Sequence, residues 1–134
     1  LEEHRAIARW TPQDGEAPKY DPARCDVYYQ GKLSPDFYAW IFPHGSKVSI
    51  GTGSMHKGFS LRGSVAELRA ATGLDKAKTV RHEGAPIPLR TMKRWDNGRD
   101  VVLAGDAAGV VAPASGEGAL TAPTALDLGS PPRP

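Results

Sequence analysis

The chain holds a single cysteine, Cys25, among 134 residues. No internal disulfide is possible, which fits a reducing compartment. Arg24 alone suggests an activating neighbour for that thiol, so Cys25 reads as idle or buried rather than nucleophilic. Charge of one sign is also missing. The 17 Lys and Arg nearly balance 15 Asp and Glu, leaving a net +2, too even for a nucleic-acid surface. No basic run has the length of an interaction tail. No apolar run approaches the roughly 20 residues of a membrane-spanning helix, and no leader pattern is read at the start. The four histidines (His4, His44, His56, His82) lie far apart, with no cysteine pair and no His-Glu-x-x-His, so no metal site is expected. There is no Gly-x-Ser-x-Gly elbow and no P-loop. No Gly-x-Gly-x-x-Gly follows a strand either, since Gly51-Thr52-Gly53 is followed by Gly58 at the wrong spacing.

What is present suffices for a core. Hydrophobic residues make up 40% and charged ones 24%, so the chain is one domain or part of one. Leu1 to Arg9 has helix-forming composition and reads as the tail of a helix. Three prolines with Asp14 and Gly15 make Thr11 to Pro22 a loop. Asp26 to Tyr29 reads as a short strand and Gln30-Gly31-Lys32 as a turn. Phe37 to Phe42 is wholly apolar. As a strand it places Tyr38, Trp40 and Phe42 on one face and Phe37, Ala39 and Ile41 on the other. His44-Gly45-Ser46 then turns the chain into a strand from Lys47 to Gly51, completing a hairpin. Ser60 to Ala71 is the clearest helix, with Ser64 and Glu67 as a capping box and Gly73 as the stop. Lys76 to Pro88 reads as a strand ending in a proline-rich turn. Arg90, Lys93 and Arg94 form a small basic cluster, and Asp96-Asn97-Gly98 is a turn.

The most informative stretch runs from Asp100 to Gly118. Val101-Val102-Leu103-Ala104 is short, continuous and rich in β-branching, as in a strand buried on both faces. It opens into Gly105-Asp106 and then the small residues Ala107, Ala108 and Gly109. A carboxylate among residues without bulk lets a polar ligand approach the backbone. Pro113 breaks the chain, and Ser115-Gly116-Glu117-Gly118 offers backbone N–H groups at a helix start.

Two patterns carry a resemblance. Gly105-Asp106-Ala107-Ala108-Gly109 followed by VVAPASGEG resembles the second flavin-binding motif of the FAD-dependent geranylgeranyl reductases, a branch of the hydroxybenzoate-hydroxylase-like flavoproteins. Tyr38-x-Trp40-x-Phe42-Pro43, then seven residues, then Gly51 matches the Y-x-W-x-F-P-x7-G pattern of the same family. The resemblance implies an α+β fragment of such an oxidoreductase: an antiparallel substrate-domain sheet plus a return strand, Val101 to Gly105, of the FAD-binding domain. It implies FAD contacts at Gly105, Asp106, Ala107, Pro113, Gly116 and Gly118, with Asp106 on the ribityl or ribose hydroxyls. It implies an isoprenoid wall at Tyr38, Trp40, Phe42, Pro43 and Gly51. An uncharged polyprenyl chain must be held by apolar and aromatic area, which suits those residue types.

The implied activity is reduction by NADPH, through FAD, of double bonds in a geranylgeranyl group, either on the free diphosphate or on (bacterio)chlorophyll. The implied setting is (bacterio)chlorophyll biosynthesis, cytoplasmic and at most peripheral to a photosynthetic membrane. The proton donor is not named; Tyr38, Glu83 and His82 are candidates, and the basic cluster is a candidate for a diphosphate or NADPH phosphate. Residues 1–23 are expected as helix tail and linker, 24–90 as the substrate sheet, 91–120 as the second FAD motif and 121–134 as a disordered, low-complexity tail. After Leu120 the sequence departs from the family, since Pro123 stands where a long helix is expected. That departure and the missing first dinucleotide motif suggest a piece of a larger protein. A related flavin-dependent aromatic hydroxylase, and an inactive piece that cannot hold FAD alone, stay open as alternatives.

Overall fold

The computed structural model describes residues 1–11 and 20–112. The described residues divide into two compact units, one within Glu2–Pro86 and one made of Leu1 with residues 87–112. The first unit contains β1 (Glu2–Arg9), β2 (Asp26–Tyr28), β3 (Ala39–His44), β4 (Lys47–Ser54), α1 (Leu61–Thr72) and β5 (Lys78–Pro86). The five strands form one antiparallel sheet in the order β2-β3-β4-β1-β5.

Leu1 to Arg9 is therefore not a helix tail. Ala6 pairs with Ile50 of β4 on one side and His82 of β5 on the other. Two backbone ladders with distant partners outweigh the weak local preference of these residues for helix. The β3–β4 hairpin forms as its sequence suggests. Its two-residue turn has φ +61° at Gly45 and no positive φ at Ser46, the II′ arrangement that matches strand twist.

One face of the sheet is dry. Ala6, Ala8, Ala39, Ile41, Val48 and Ile50 lie beneath Val65 and Leu68 of α1, with Leu33, Leu74 and Ala77 closing the edges. Each fully buried branched side chain there contributes about 1.5–3 kcal/mol. The alanines of β1 leave room for the helix, which contacts β1 and β4. α1 starts one turn before the expected capping box. Ser60 is its N-cap and accepts from the Gly63 N–H at 3.0 Å. Ser64 lies within the helix, buried, and donates to the Leu33 carbonyl, so it caps nothing. Gly73 ends the helix at φ +77° as expected.

In the second unit Val101 to Ala104 does not form the expected strand. Val102 makes an isolated bridge to Asp96, and Val101 and Val102 are 49% and 67% exposed. A strand read as buried needs ladder partners along both edges, and the described residues supply a single bridge. Asp96 to Val101 forms the expected turn, with the Asn97 side-chain oxygen accepting from the N–H groups of Arg99, Asp100 and Val101. Pro113, Gly116, Gly118 and the tail 121–134 lie outside the described residues.

Candidate functional site: an aromatic sheet face and a glycine-aspartate turn

The face of the sheet opposite α1 carries the aromatic residues of the first site set. The register lines up Glu83, Arg5, Gly51, Trp40 and Val27 in one row across β5, β1, β4, β3 and β2. The row explains the glycine of the motif. A Cβ on Gly51 would sit 2.2 Å from Cζ2 of Trp40 and 2.5 Å from its Cε2, closer than any real contact, so the indole lies directly over the bare backbone of β4. The Trp40 Nε1 donates to Ser49 Oγ at 3.3 Å. Trp40 is buried although it belongs to the outer face.

Phe37 repeats the arrangement one step along, against Gly53, where a Cβ would meet its ring at 3.1 Å. Phe37 precedes β3, so strand alternation does not apply to it. It belongs with Tyr38 and Trp40, not with Ala39 and Ile41 as its position suggests. The rings form a continuous layer. Phe37 stacks on Tyr38 at 4.2 Å, Tyr38 meets Trp40 edge-on at 5.9 Å, and Trp40 stacks on Phe42 at 5.8 Å. Pro43 follows within β3, opposite Val48, and so falls on the α1 side of the sheet, away from the rings with which its motif groups it. Tyr38, Trp40, Phe42, Pro43 and Gly51 are thus gathered on one hairpin.

The loop leading into this layer is pinned to the far end of β4. Ser34 Oγ donates to the Gly53 carbonyl at 2.7 Å and accepts from the Phe37 N–H at 2.8 Å. Thr52 Oγ1 donates to the Leu33 carbonyl at 2.8 Å. Asp36 accepts from Ser54 Oγ at 2.6 Å and from the Met55 N–H at 2.8 Å. Desolvation raises the Asp36 pKa, but these bonds outweigh it and hold the carboxyl below its ordinary value.

Beyond Phe42 on the same face lies an open depression of ≈ 250 Å³ lined by Arg5, Ile7, His44, Lys47, Ser49, Arg81 and Glu83. Glu83 Oε2 accepts from Arg5 Nε at 2.6 Å, and Arg81 closes on the other carboxylate oxygen. The Arg5 hydrogen bond is the largest cause of a lowered Glu83 pKa; desolvation opposes it, and Arg81 adds to the lowering. A helix over Leu1 to Arg9 would not bring this group together. As a strand, Arg5 and Ile7 fall on one face, as do Arg81 and Glu83 of β5. His82 falls on the other side. It stacks on His4 at 5.4 Å, on the face that carries α1.

The second set of site residues lies in the other unit. Gly105 to Ala108 is a single 3₁₀ turn, entered at φ +56° on Gly105 and left at φ +68° on Gly109. The Val110 N–H closes it onto the Gly105 carbonyl at 2.9 Å. Gly109 permits close passage of the chain, since a Cβ there would lie 2.1 Å from the Arg90 carbonyl oxygen. The Met92 N–H donates to the Ala108 carbonyl at 2.8 Å. Asp106 and Ala107 are exposed at the tip of the turn. Arg90, Lys93 and Arg94 are exposed in the segment that abuts it. Cys25 is exposed rather than buried. Among the described residues no group of His, Cys, Asp or Glu could hold a metal ion. No described helix is long and apolar enough to cross a membrane.

No family model matches the chain. A geranylgeranyl diphosphate reductase of Rhodobacter capsulatus is 63% identical over 99 residues, 74% of this chain and 25% of that protein. The chain belongs, over this segment, to the geranylgeranyl reductase family. A chloroplastic geranylgeranyl diphosphate reductase of Oryza sativa subsp. japonica is 41% identical over 102 residues, covering 75% of the chain and 22% of that protein. The chain thus spans about a quarter of the length of these curated relatives. A solved geranylgeranyl bacteriochlorophyll reductase-like protein of Thermoplasma acidophilum superposes with a TM-score of 0.68 at 22% identity, over 92% of this chain and 31% of that one. The fold is therefore that of a geranylgeranyl reductase-like protein, as the two motifs suggest.

Proposed function

We propose that the chain supplies the substrate sheet and the second flavin motif of an FAD- and NADPH-dependent geranylgeranyl reductase. One observation carries the reading: the Trp40 indole laid over Gly51 within a continuous layer of Tyr38, Trp40 and Phe42. A layer of rings without a charged side chain among them, buried at Tyr38 and Trp40 and half-buried at Phe42, suits an apolar polyprenyl chain better than a polar ligand. This favours a reductase of isoprenoid double bonds over an aromatic-ring hydroxylase.

The turn fits a hydroxyl-bearing cofactor. Asp106 stands exposed between two glycines with positive φ, and the small Ala107 leaves its approach open. Asp106 would accept hydrogen bonds from ribityl or ribose hydroxyls, with Gly105 and Ala107 beside it. Pro113, Gly116 and Gly118 are assigned to the flavin on sequence alone. When bound, the flavin supplies hydride to an alkene, with NADPH as the source. The chain's own part is to seat the alkene, exclude water and deliver a proton. Of the three proton-donor candidates, His82 is on the helix side of the sheet and Glu83 is held ionised by Arg5 and Arg81. Tyr38 is the candidate that stands in the wall.

The charged depression beyond Phe42 holds Arg5, Lys47 and Arg81 against one carboxylate. It suits the anionic end of an amphiphile, so the reading extends to free geranylgeranyl diphosphate as the substrate in preference to a pigment ester. Arg90, Lys93 and Arg94 are assigned to a phosphate of NADPH. A cytoplasmic enzyme serving (bacterio)chlorophyll synthesis at a photosynthetic membrane follows from the same reading. The test is an FAD titration followed by flavin fluorescence quenching, repeated with Asp106→Ala. Saturable binding abolished in the variant supports the assignment. Binding that survives the substitution removes Asp106 from the flavin site, and no binding by either chain means that this segment cannot hold FAD alone.

A further inference from the structure

The charged depression beyond Phe42 holds an anion of its own. Arg5 of β1, Lys47 of β4 and Arg81 of β5 bring three cationic groups to it from three strands, and His44 adds an exposed imidazole at the end of β3. Glu83 is the one carboxylate in its lining. Two guanidiniums take its two oxygens, Arg5 Nε on Oε2 at 2.6 Å and Arg81 Nε on Oε1. Lys47 makes no ion pair among the described residues. Glu3 is the other acid near Arg5; it stands 3.9 Å from Nη1, beyond hydrogen-bond distance and outside the lining. The floor is uncharged, since Ile7 and Ser49 are buried there. Three permanent positive charges therefore face one negative charge in a hollow of ≈ 250 Å³. Pockets that enclose a whole ligand hold roughly 300–1,000 Å³, so this one suits a head group.

We propose that Glu83 occupies this seat as a built-in competitor, which an anionic head group must displace from Arg5 and Arg81 in order to bind; this rests on the diphosphate seat proposed above. The contacts are open to exchange. The side chains of Arg5 and Arg81 are 40% and 60% exposed, and ion pairs so placed hold weakly. A guanidinium fork fits phosphoryl oxygens as well as carboxylate oxygens. The exchange sets a threshold. A diphosphate carries several charges, so it replaces both contacts of Glu83 and also meets Lys47. A singly charged end gains little over the carboxylate already present, and an uncharged ester gains nothing. Glu83 thereby selects a free diphosphate over a neutral or singly charged end, while lowering the affinity for each.

Isothermal titration of the full chain with inorganic diphosphate tests this, with acetate as a singly charged probe. Glu83→Gln keeps the size of the side chain and removes its charge. It is expected to tighten diphosphate about tenfold. Acetate, which mimics the missing carboxylate, is expected to compete with diphosphate in the variant and not in the wild type. Glu83→Ala is expected to behave like Glu83→Gln and serves should that variant misfold. A residue that merely held the arginines in place would give the opposite result, with binding kept by the amide and lost with alanine. Diphosphate affinity that falls, or stays within about twofold, in both variants while the wild type binds would overturn the competitor role and leave the seat standing. A wild-type chain and variants that all fail to bind diphosphate overturn the seat and this inference with it.

Discussion

The aromatic face and the glycine-aspartate turn find their partners in different ways. The rings of Tyr38, Trp40 and Phe42 are held by side chains packing on neighbouring strands, and the glycine beneath Trp40 is part of the fit. The Gly105–Ala108 turn is held by backbone bonds to Gly105 and Met92, while its carboxylate projects outward. One region spends its sequence specificity on shape, the other on an unobstructed backbone with a polar group at its tip. Substitutions in the first should therefore appear as lost stability, and substitutions at the tip of the second as lost binding with the fold intact.

The sharpest way to break that contrast is Gly51→Ala. The new methyl overlaps the Trp40 indole, so the ring must leave and the layer reorganise. A loss of about 2–3 kcal/mol is expected from urea unfolding; an unchanged midpoint would show that the indole is not seated on Gly51. Next comes Thr52→Val, which removes the bond to the Leu33 carbonyl beneath the layer. About 1 kcal/mol should go, moderated by the second donor Ser64 on the same carbonyl.

Acidification should come next. Burial, then His82 and Arg62, lowers the His4 pKa. The fold therefore resists protonation, and its stability falls as pH drops below the ordinary value of 6.5. Glu83, also depressed, stabilises above the ordinary carboxylate value, and its contribution is lost as pH falls through its folded value. Both effects have the same sign. Urea midpoints should decline in two stages on acidification, and His4→Gln should remove the upper stage. A wild-type midpoint that rises toward acid pH would contradict this account. The smallest expected effect on stability is that of Asp106→Ala, within about 0.5 kcal/mol for an exposed turn residue, accompanied by loss of FAD binding. A large drop in thermal midpoint would show that Asp106 supports the turn instead.

The sequence revealed what local rules control. The hairpin at Gly45, the helix stop at Gly73 and the wall motif depend on residues close in the chain. Leu1 to Arg9 was not legible, because β1 is a strand by virtue of partners in β4 and β5 and its composition argues otherwise. The charged depression was hidden for the same reason, since Arg5 meets Glu83 only when β1 lies beside β5. Phe37 joins the rings because strand alternation holds only from Ala39, where β3 begins. Val101 to Ala104 shows the converse. Its β-branched run has strong strand propensity but finds only the Asp96 bridge among the described residues.

The position of β1 also bears on how the molecule is assembled. Arg5 and Glu83 are 78 residues apart, and β1 fills the slot between β4 and β5. The β3–β4 hairpin closes over two residues and can form early, whereas β5 has no place in the sheet until β1 is docked. Such long-range pairing carries a large loop-closure cost and slows folding. Until β1 is seated, the aromatic hairpin and the last strand have no common sheet. A short peptide spanning Leu1 to Trp10, supplied in trans, would then act as a keystone rather than an appendage.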